Sequence, residues 1–476
     1  MTASATIIAV VLGYLAVLVG LGLWGSRGSH DISGYYVGGK ELPSWVIAFS
    51  SNTTGESAWL LLGLTGMGYL VGIHAFWVVL GEVLGVTLAW AFVARPFKEA
   101  TDRYDAITVP DYLEARFGDR RHIFRILSMV IIVTMVTAYT SAQLTASGKA
   151  FSSFLHTSYP AGVLIGAVVI LFYTTIGGFK AVAYSDVLQG VLMVGGLLVL
   201  PIAGIAAVGG WVPLMTQLRE LDPSLLAPMG PHGFSVAGVL SAISFAGIGL
   251  AFLGAPQLLT RFISARDDRA IADGGLMAVA CIVVFDVGAV LTGMAGRALF
   301  PALADPETVF PAMSAELFPA VFTGVFLVMV LAAIMSTVDS ILLLASSAVV
   351  RDVVQKTLGS RASERRLTLY GKITTALIGV MALAFAFGEV RVLFWFVLFA
   401  WSGLGAAFTP VVLAALFWKG TTRRGAIAGM VVGFLTTVVW VVAFKERFYD
   451  LYEMIPGFLA GFATIVAVSR WNRGTE

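Results

Sequence analysis

Ser50-Ser51-Asn52-Thr53-Thr54-Gly55-Glu56-Ser57 interrupts an apolar run that resumes as Ala58-Trp59-Leu60-Leu61-Leu62. Hydroxyl and amide side chains compete with a helix for its backbone hydrogen bonds, and glycine is entropically costly inside one, so this stretch predicts local unwinding. Unwound backbone at membrane depth is tolerated only where it lines a cavity or is buried in protein, and its freed carbonyls suit a hard cation. The competing reading is a polar contact between two helices.

The surrounding chain sets that depth. Of its 476 residues, 58% are hydrophobic and 12% charged, against about 25% charged in soluble domains. Apolar runs of membrane-crossing length recur from end to end. They are centred near 5–25, 43–68, 73–95, 124–152, 160–177, 186–208, 234–258, 271–298, 318–349, 368–388, 392–418, 424–444 and 454–470, about thirteen in all. The first has no basic segment before it and no small-residue cleavage site after it, and reads as a retained span. About 24 of the 30 basic residues fall on one side of these spans, with the densest groups in 95–125 and 351–366. By the positive-inside rule, the N-terminus is expected outside and the C-terminus in the cytoplasm.

Several function classes fall away. The 30 basic and 28 acidic residues nearly cancel, and the basic clusters lack interleaved aromatics, so no nucleic-acid partner is expected. A lone cysteine, Cys281, offers neither a disulfide nor a CxxC site. No HExxH, GxSxG or Walker pattern occurs, and no enzyme is expected. No extramembrane segment is long enough to bury its own core, so function is expected within the bundle. The expected partner on these grounds is the lipid bilayer, with no obligate protein partner evident.

Charges inside the spans are expensive and mark functional positions. Five acids lie at membrane depth, Glu56, Glu82, Asp186, Asp286 and Asp339, and no Lys or Arg is expected beside them. Either protons or mobile cations then neutralise them. In the ninth span, Ala333, Ser336, Thr337 and Ser340 share one helical face, with Asp339 adjoining. Two hydroxyls and a carbonyl there would hold Na⁺ weakly enough to release it. In the seventh span, Gly247, Gly249 and Gly254 precede Pro256 and suggest a hinge or close packing.

These residues resemble the sodium:solute symporter family, most closely its bacterial sodium/proline branch. The resemblance is carried by Tyr36-Val-Gly-Gly-Lys40, Trp59-Leu-Leu-Leu-Gly63, Thr108-Val-Pro-Asp-Tyr112, Tyr173-Thr-Thr-Ile-Gly-Gly-Phe179 and Ala332-Ala-Ile-Met-Ser-Thr337. Further stretches are Gly405-Ala-Ala-Phe408, Ala428-Gly-Met430 and Ile455-Pro-Gly-Phe458. The resemblance implies an all-α polytopic fold of the leucine-transporter type, a single transporter domain over 1–476. Its parts would be an extra helix at 5–25, inverted repeats at 43–208 and 234–418, and two further helices in 424–470.

It also implies sites. The main Na⁺ site would use carbonyls of Thr53, Glu56 and Ala333 with the hydroxyls of Ser336 and Thr337. Asp186, Asp339 and Ser340, together with Ser336, would form a possible second cation site. The substrate would meet Gly55, Glu56, Ser57, Trp59, Gly63, Gln143, Ile248, Phe252 and Pro256. The branch's aspartate falls at Gly55, with the carboxylate displaced to Glu56, which could face a substrate amine or replace that aspartate. Aromatic positions linked to proline read Ile248 and Phe252. The implied function is Na⁺-coupled import of proline or a related zwitterion through the cytoplasmic membrane. A monocarboxylate, sugar acid or amine, coupled to Na⁺ or H⁺, is the alternative, and a transporter-like sensor a more distant one.

Overall fold

A computed structural model describes residues 3–26, 31–388 and 392–473. Among them the chain is almost wholly helical and forms no named strand, with a single bridge between Leu42 and Ala265. The long helices are α1 (Ala3–Ser26), α2 (Ser44–Ala58), α3 (Phe76–Leu88), α4 (Ile123–Leu155), α5 (Tyr159–Ile176), α6 (Phe179–Ala207) and α7 (Val236–Gly247). They are followed by α8 (Pro256–Ser264), α9 (Asp268–Leu299), α10 (Ala320–Ser347), α11 (Glu364–Ala386), α12 (Leu393–Phe417), α13 (Arg423–Val439) and α14 (Met454–Arg473).

Eleven helical runs among the described residues are long and apolar enough to cross a membrane. One of them, Ser44–Arg103, is 60 residues long and breaks at Gly72, where φ is 55° and ψ −127°. Its two ends meet, since Lys40 Nζ lies 3.0 Å from Asp102 Oδ1, so the run is a hairpin. The expected thirteen is reached only by dividing this run and adding α5, whose apolar part, Tyr159–Thr175, is shorter than the others. Apolar side chains such as Val168, Phe172, Ile202, Leu276 and Val442 stand exposed on the outer faces, as a lipid-facing surface requires.

At the centre lies α2, packed against α6, α9 and α10. Asn52 ties it to α9 by donating to the Ala278 carbonyl at 2.6 Å. The expected unwinding is present and sharply placed. Residues 44–56 stay helical, and the break falls at Ser57, with φ 49° and ψ −169°. The chain then resumes in wide turns over Trp59–Leu64. Gly55 does not itself unwind; it is needed for space, because a Cβ there would stand 2.9 Å from the Phe252 ring.

A second break occurs in the first helix of the other expected half. After α7 the chain tightens through Ile248–Leu253, leaves the helix at Gly254 and Ala255, and restarts as α8 with Pro256 in the first turn. A proline at that position has no intrahelical N–H to lose. Gly254 is required there because a Cβ would lie 2.4 Å from the Thr409 Cα.

Candidate functional site

The break in α2 is held from α4. Gln143 Oε1 accepts the Ala58 N–H at 3.1 Å, and Gln143 Nε2 donates to Ser57 Oγ at 3.2 Å. Tyr139, one helical turn earlier, reaches the same hydroxyl at 3.4 Å. These bonds satisfy the backbone that unwinding frees, and they keep a non-glycine residue at positive φ, a conformation that costs about 1–3 kcal/mol. In the second broken helix, Trp401 Nε1 donates to the Ile248 carbonyl at 3.3 Å.

Around these breaks the structure gathers most of the residues expected to meet substrate. Phe252 lies over Gly55 and packs edge-to-face on Trp401, with ring centroids 5.2 Å apart. Trp59 Nε1 points to the Gly55 carbonyl at 3.4 Å, and its ring meets Phe394 at 5.8 Å. Beyond that aromatic pair opens a cavity of about 390 Å³ lined by Gly63, Gly66, Met67, Lys149, Glu307 and Phe394, among others. Ile248 presents its carbonyl to Trp401, and Pro256 lies buried beyond the Gly254 break. Tyr139, Phe394 and Trp401 were not legible as site residues, because an aromatic in an apolar run carries no periodic signal.

Four of the five residues expected at the main Na⁺ site converge. Ser336 Oγ lies 3.0 Å from the Thr53 carbonyl and 3.1 Å from that of Ala333. Thr337 Oγ1 lies 3.4 Å from the Thr53 carbonyl and 3.2 Å from that of Thr54. All are buried, so two hydroxyls and three carbonyls form an oxygen cluster without formal charge. Glu56, expected there through its backbone carbonyl, follows Thr53 by one turn, and its side-chain carboxylate turns to Glu82 and Asp286, one oxygen of each lying within 4.8 Å of the others. Any pairing of Glu56 with a substrate amine would be shared with those two acids.

The expected absence of a basic residue at this depth is overturned. Arg261 of α8 is fully buried, and its Nη2 lies 3.3 Å from Asp186 Oδ2. Its Nη2 also donates to Thr54 Oγ1 at 2.7 Å and to Ser340 Oγ, and its Nε donates to Ser50 Oγ at 3.1 Å. Ser50 in turn donates to Asp186 Oδ2 at 2.6 Å. A guanidinium therefore sits among oxygens expected to bind a second cation. Asp339 is separate from this network and accepts a hydrogen bond from Thr174 of α5. Arg261 lies just beyond the apolar run expected over 234–258. The break at Gly254 and Ala255 restarts a helix there and carries Arg261 inward.

A chain with two broken helices around an oxygen cluster can be compared with known proteins on those terms. Residues 35–433 match the sodium:solute symporter family. This chain belongs to that family. Among its relatives, the high-affinity proline transporter PutP of Bacillus subtilis (strain 168) is 35% identical over 454 residues, covering 94% of each chain. The sodium/proline symporter of Staphylococcus aureus (strain JH9) is 32% identical over 474 residues, covering 97% of this chain and 91% of that one. Among solved structures, a Na⁺-coupled sialic acid symporter in a substrate-bound outward-open state superposes with a TM-score of 0.82 at 19% identity, over 98% of both chains. Mhp1, a nucleobase-cation-symport-1 family transporter, gives 0.58 at 13% identity over 94% of this chain and 96% of its own. These likenesses establish the transporter fold of the symporter family member described here.

Proposed function

We propose that this family member is a Na⁺-coupled symporter importing proline or a closely related zwitterion by alternating access. The observation that carries the reading is the neutral oxygen cluster of Thr53, Ala333, Ser336 and Thr337, set beside the break at Ser57 that Gln143 holds open. Na⁺ at this cluster would bridge α2 and α10 and so fix the shape of the adjoining break. Solute and ion then favour the same arrangement, and each raises the affinity of the other. The names borne by the relatives that share a third of this sequence over nearly its whole length support proline.

The solute's route would run from the 390 Å³ cavity, past the Trp59–Phe394 pair, to Gly55, Ser57, Gln143, Ile248 and Phe252. The N-terminus would face outward and the C-terminus the cytoplasm, which places the basic 95–125 and 351–366 segments inside. Proteoliposomes carrying the chain should accumulate labelled proline when Na⁺ is high outside. Accumulation that is equal with K⁺ replacing Na⁺, or none with any zwitterion, would overturn the reading.

A further inference from the structure

We infer that Glu56, Glu82 and Asp286 form a second metal-cation site, distinct from the Thr53–Ser336 cluster. It would take a hard, oxygen-preferring ion of about 1 Å radius, the size shared by Na⁺ and Ca²⁺. The three side chains come from α2, α3 and α9, and each is wholly buried. One carboxylate oxygen from each lies within 4.8 Å of the others, so an ion at their centre would lie within about 2.8 Å of all three, close to the ~2.3–2.6 Å usual for carboxylate oxygens.

A second observation separates this group from an ordinary acidic cluster. All six carboxylate oxygens are buried without any hydrogen-bond donor. Each of the other buried acids among the described residues has at least one carboxylate oxygen bonded, although one oxygen each of Asp186, Asp339 and Asp352 is without a partner. Glu307 accepts the N–H groups of Leu393 and Phe394 and pairs with Lys149. Asp352 accepts from Thr108 and Arg125, Glu453 from Lys445 and Ser402, and Asp186 from Ser50 and Arg261. Arg261, the fully buried guanidinium, is thus committed elsewhere. Burying carboxylates with neither donor nor counter-ion is prohibitively costly, and an ion from outside the chain supplies what the chain does not.

The packing that carries Glu82 inward is itself unusual. Its neighbour Gly81 and the residue Gly85 lie so close to the second broken helix that a Cβ at either would stand 2.2 Å from the Ala246 or Gly249 carbonyl. Glu56 adjoins the other break, at Ser57. An ion held by both acids would therefore link the two discontinuous helices through α3.

The test is equilibrium binding of radioactive Na⁺ and, separately, radioactive Ca²⁺ to the purified full-length chain in nanodiscs. The readout does not depend on which solute is carried, so its failure and that of the proline reading are distinguishable. The Ser336→Ala chain, with the acidic group intact, should keep a saturable site for one of the two ions. Glu82→Gln or Asp286→Asn in that background should weaken this site at least tenfold. Retention by Na⁺ makes the triad a second Na⁺ site, and retention by Ca²⁺ makes it a divalent one. Loss of all saturable binding of both ions in Ser336→Ala alone would overturn the inference, and this arm needs no substitution of the acids. Binding unchanged by Glu82→Gln and Asp286→Asn would overturn it equally, leaving the carboxyls to hold protons only.

Discussion

Gln143 accepts the backbone N–H of Ala58 through its amide oxygen at 3.1 Å, one residue past the break in α2. Its amide nitrogen meanwhile donates to Ser57 Oγ at 3.2 Å. A single side chain from α4 thus completes the hydrogen bonding of the one turn in α2 that cannot complete its own.

Replacing it by a side chain of similar size without polar atoms should therefore be costly. Gln143→Leu leaves the buried Ala58 N–H unsatisfied, a penalty of about 1–3 kcal/mol. The expected result is a lower thermal unfolding temperature and weaker solute binding, with Gln143→Glu, which keeps the acceptor, retaining more of both. Equal stability of the leucine variant and the wild type would show that the break does not depend on this bond.

Ser336 and Thr337 each bring a side-chain oxygen to the neutral cluster around the Thr53 carbonyl. A polar interaction with a charged group contributes about 1.5–3 kcal/mol, so Ser336→Ala or Thr337→Ala should raise the Na⁺ concentration for half-maximal proline uptake at least tenfold. Proline uptake at saturating Na⁺ should fall less. An unchanged Na⁺ dependence in both variants would remove this cluster as the coupling site.

Arg261 and Asp186 are buried partners 3.3 Å apart. Removing one partner of such a pair strands the other and costs about 3–5 kcal/mol. Arg261→Gln and Asp186→Asn should each destabilise the chain strongly, and the double variant should lose clearly less than the sum. A double-mutant cycle followed by thermal unfolding measures that difference, and strict additivity would mean the pair is not coupled.

Gly55 makes room for the Phe252 ring, which a Cβ would approach to 2.9 Å. Overpacking of this kind costs about 1–3 kcal/mol. Gly55→Ala should weaken proline binding about fivefold or more while leaving the Na⁺ dependence nearly intact, and adding Phe252→Leu should restore part of the loss. Titration of purified protein with proline, followed by tryptophan fluorescence, reads both effects.

Much of this arrangement was legible from residue order. The lengths of several apolar runs located long helices to within a few residues, as α5, α12 and α14 illustrate, whereas α6 begins at Phe179, ahead of the expected 186. The cluster of Ser, Thr, Asn and Gly announced a break in α2, and the spacing of Ser336 and Thr337 placed their hydroxyls on one helical face. The position of the break was less legible, because Gly55 is small for the sake of Phe252, which is nearly two hundred residues away. The grouping of Glu56, Glu82 and Asp286 was not legible at all. Each acid is recognisable singly as out of place in hydrocarbon, but only the packing of α3 and α9 on α2 brings them together. Arg261 escaped for a related reason, since hydropathy sees the end of an apolar run and not the helix restart that follows Gly254.

The guanidinium beside Asp186 has an electrical consequence. A fixed pair of opposite charges moves no net charge when the bundle rearranges, so the membrane potential does no work on it. One elementary charge crossing the membrane exchanges about 2.3 kcal/mol per 100 mV. With Asp186 matched from within the chain, the current that accompanies each solute counts only ions held elsewhere in the bundle.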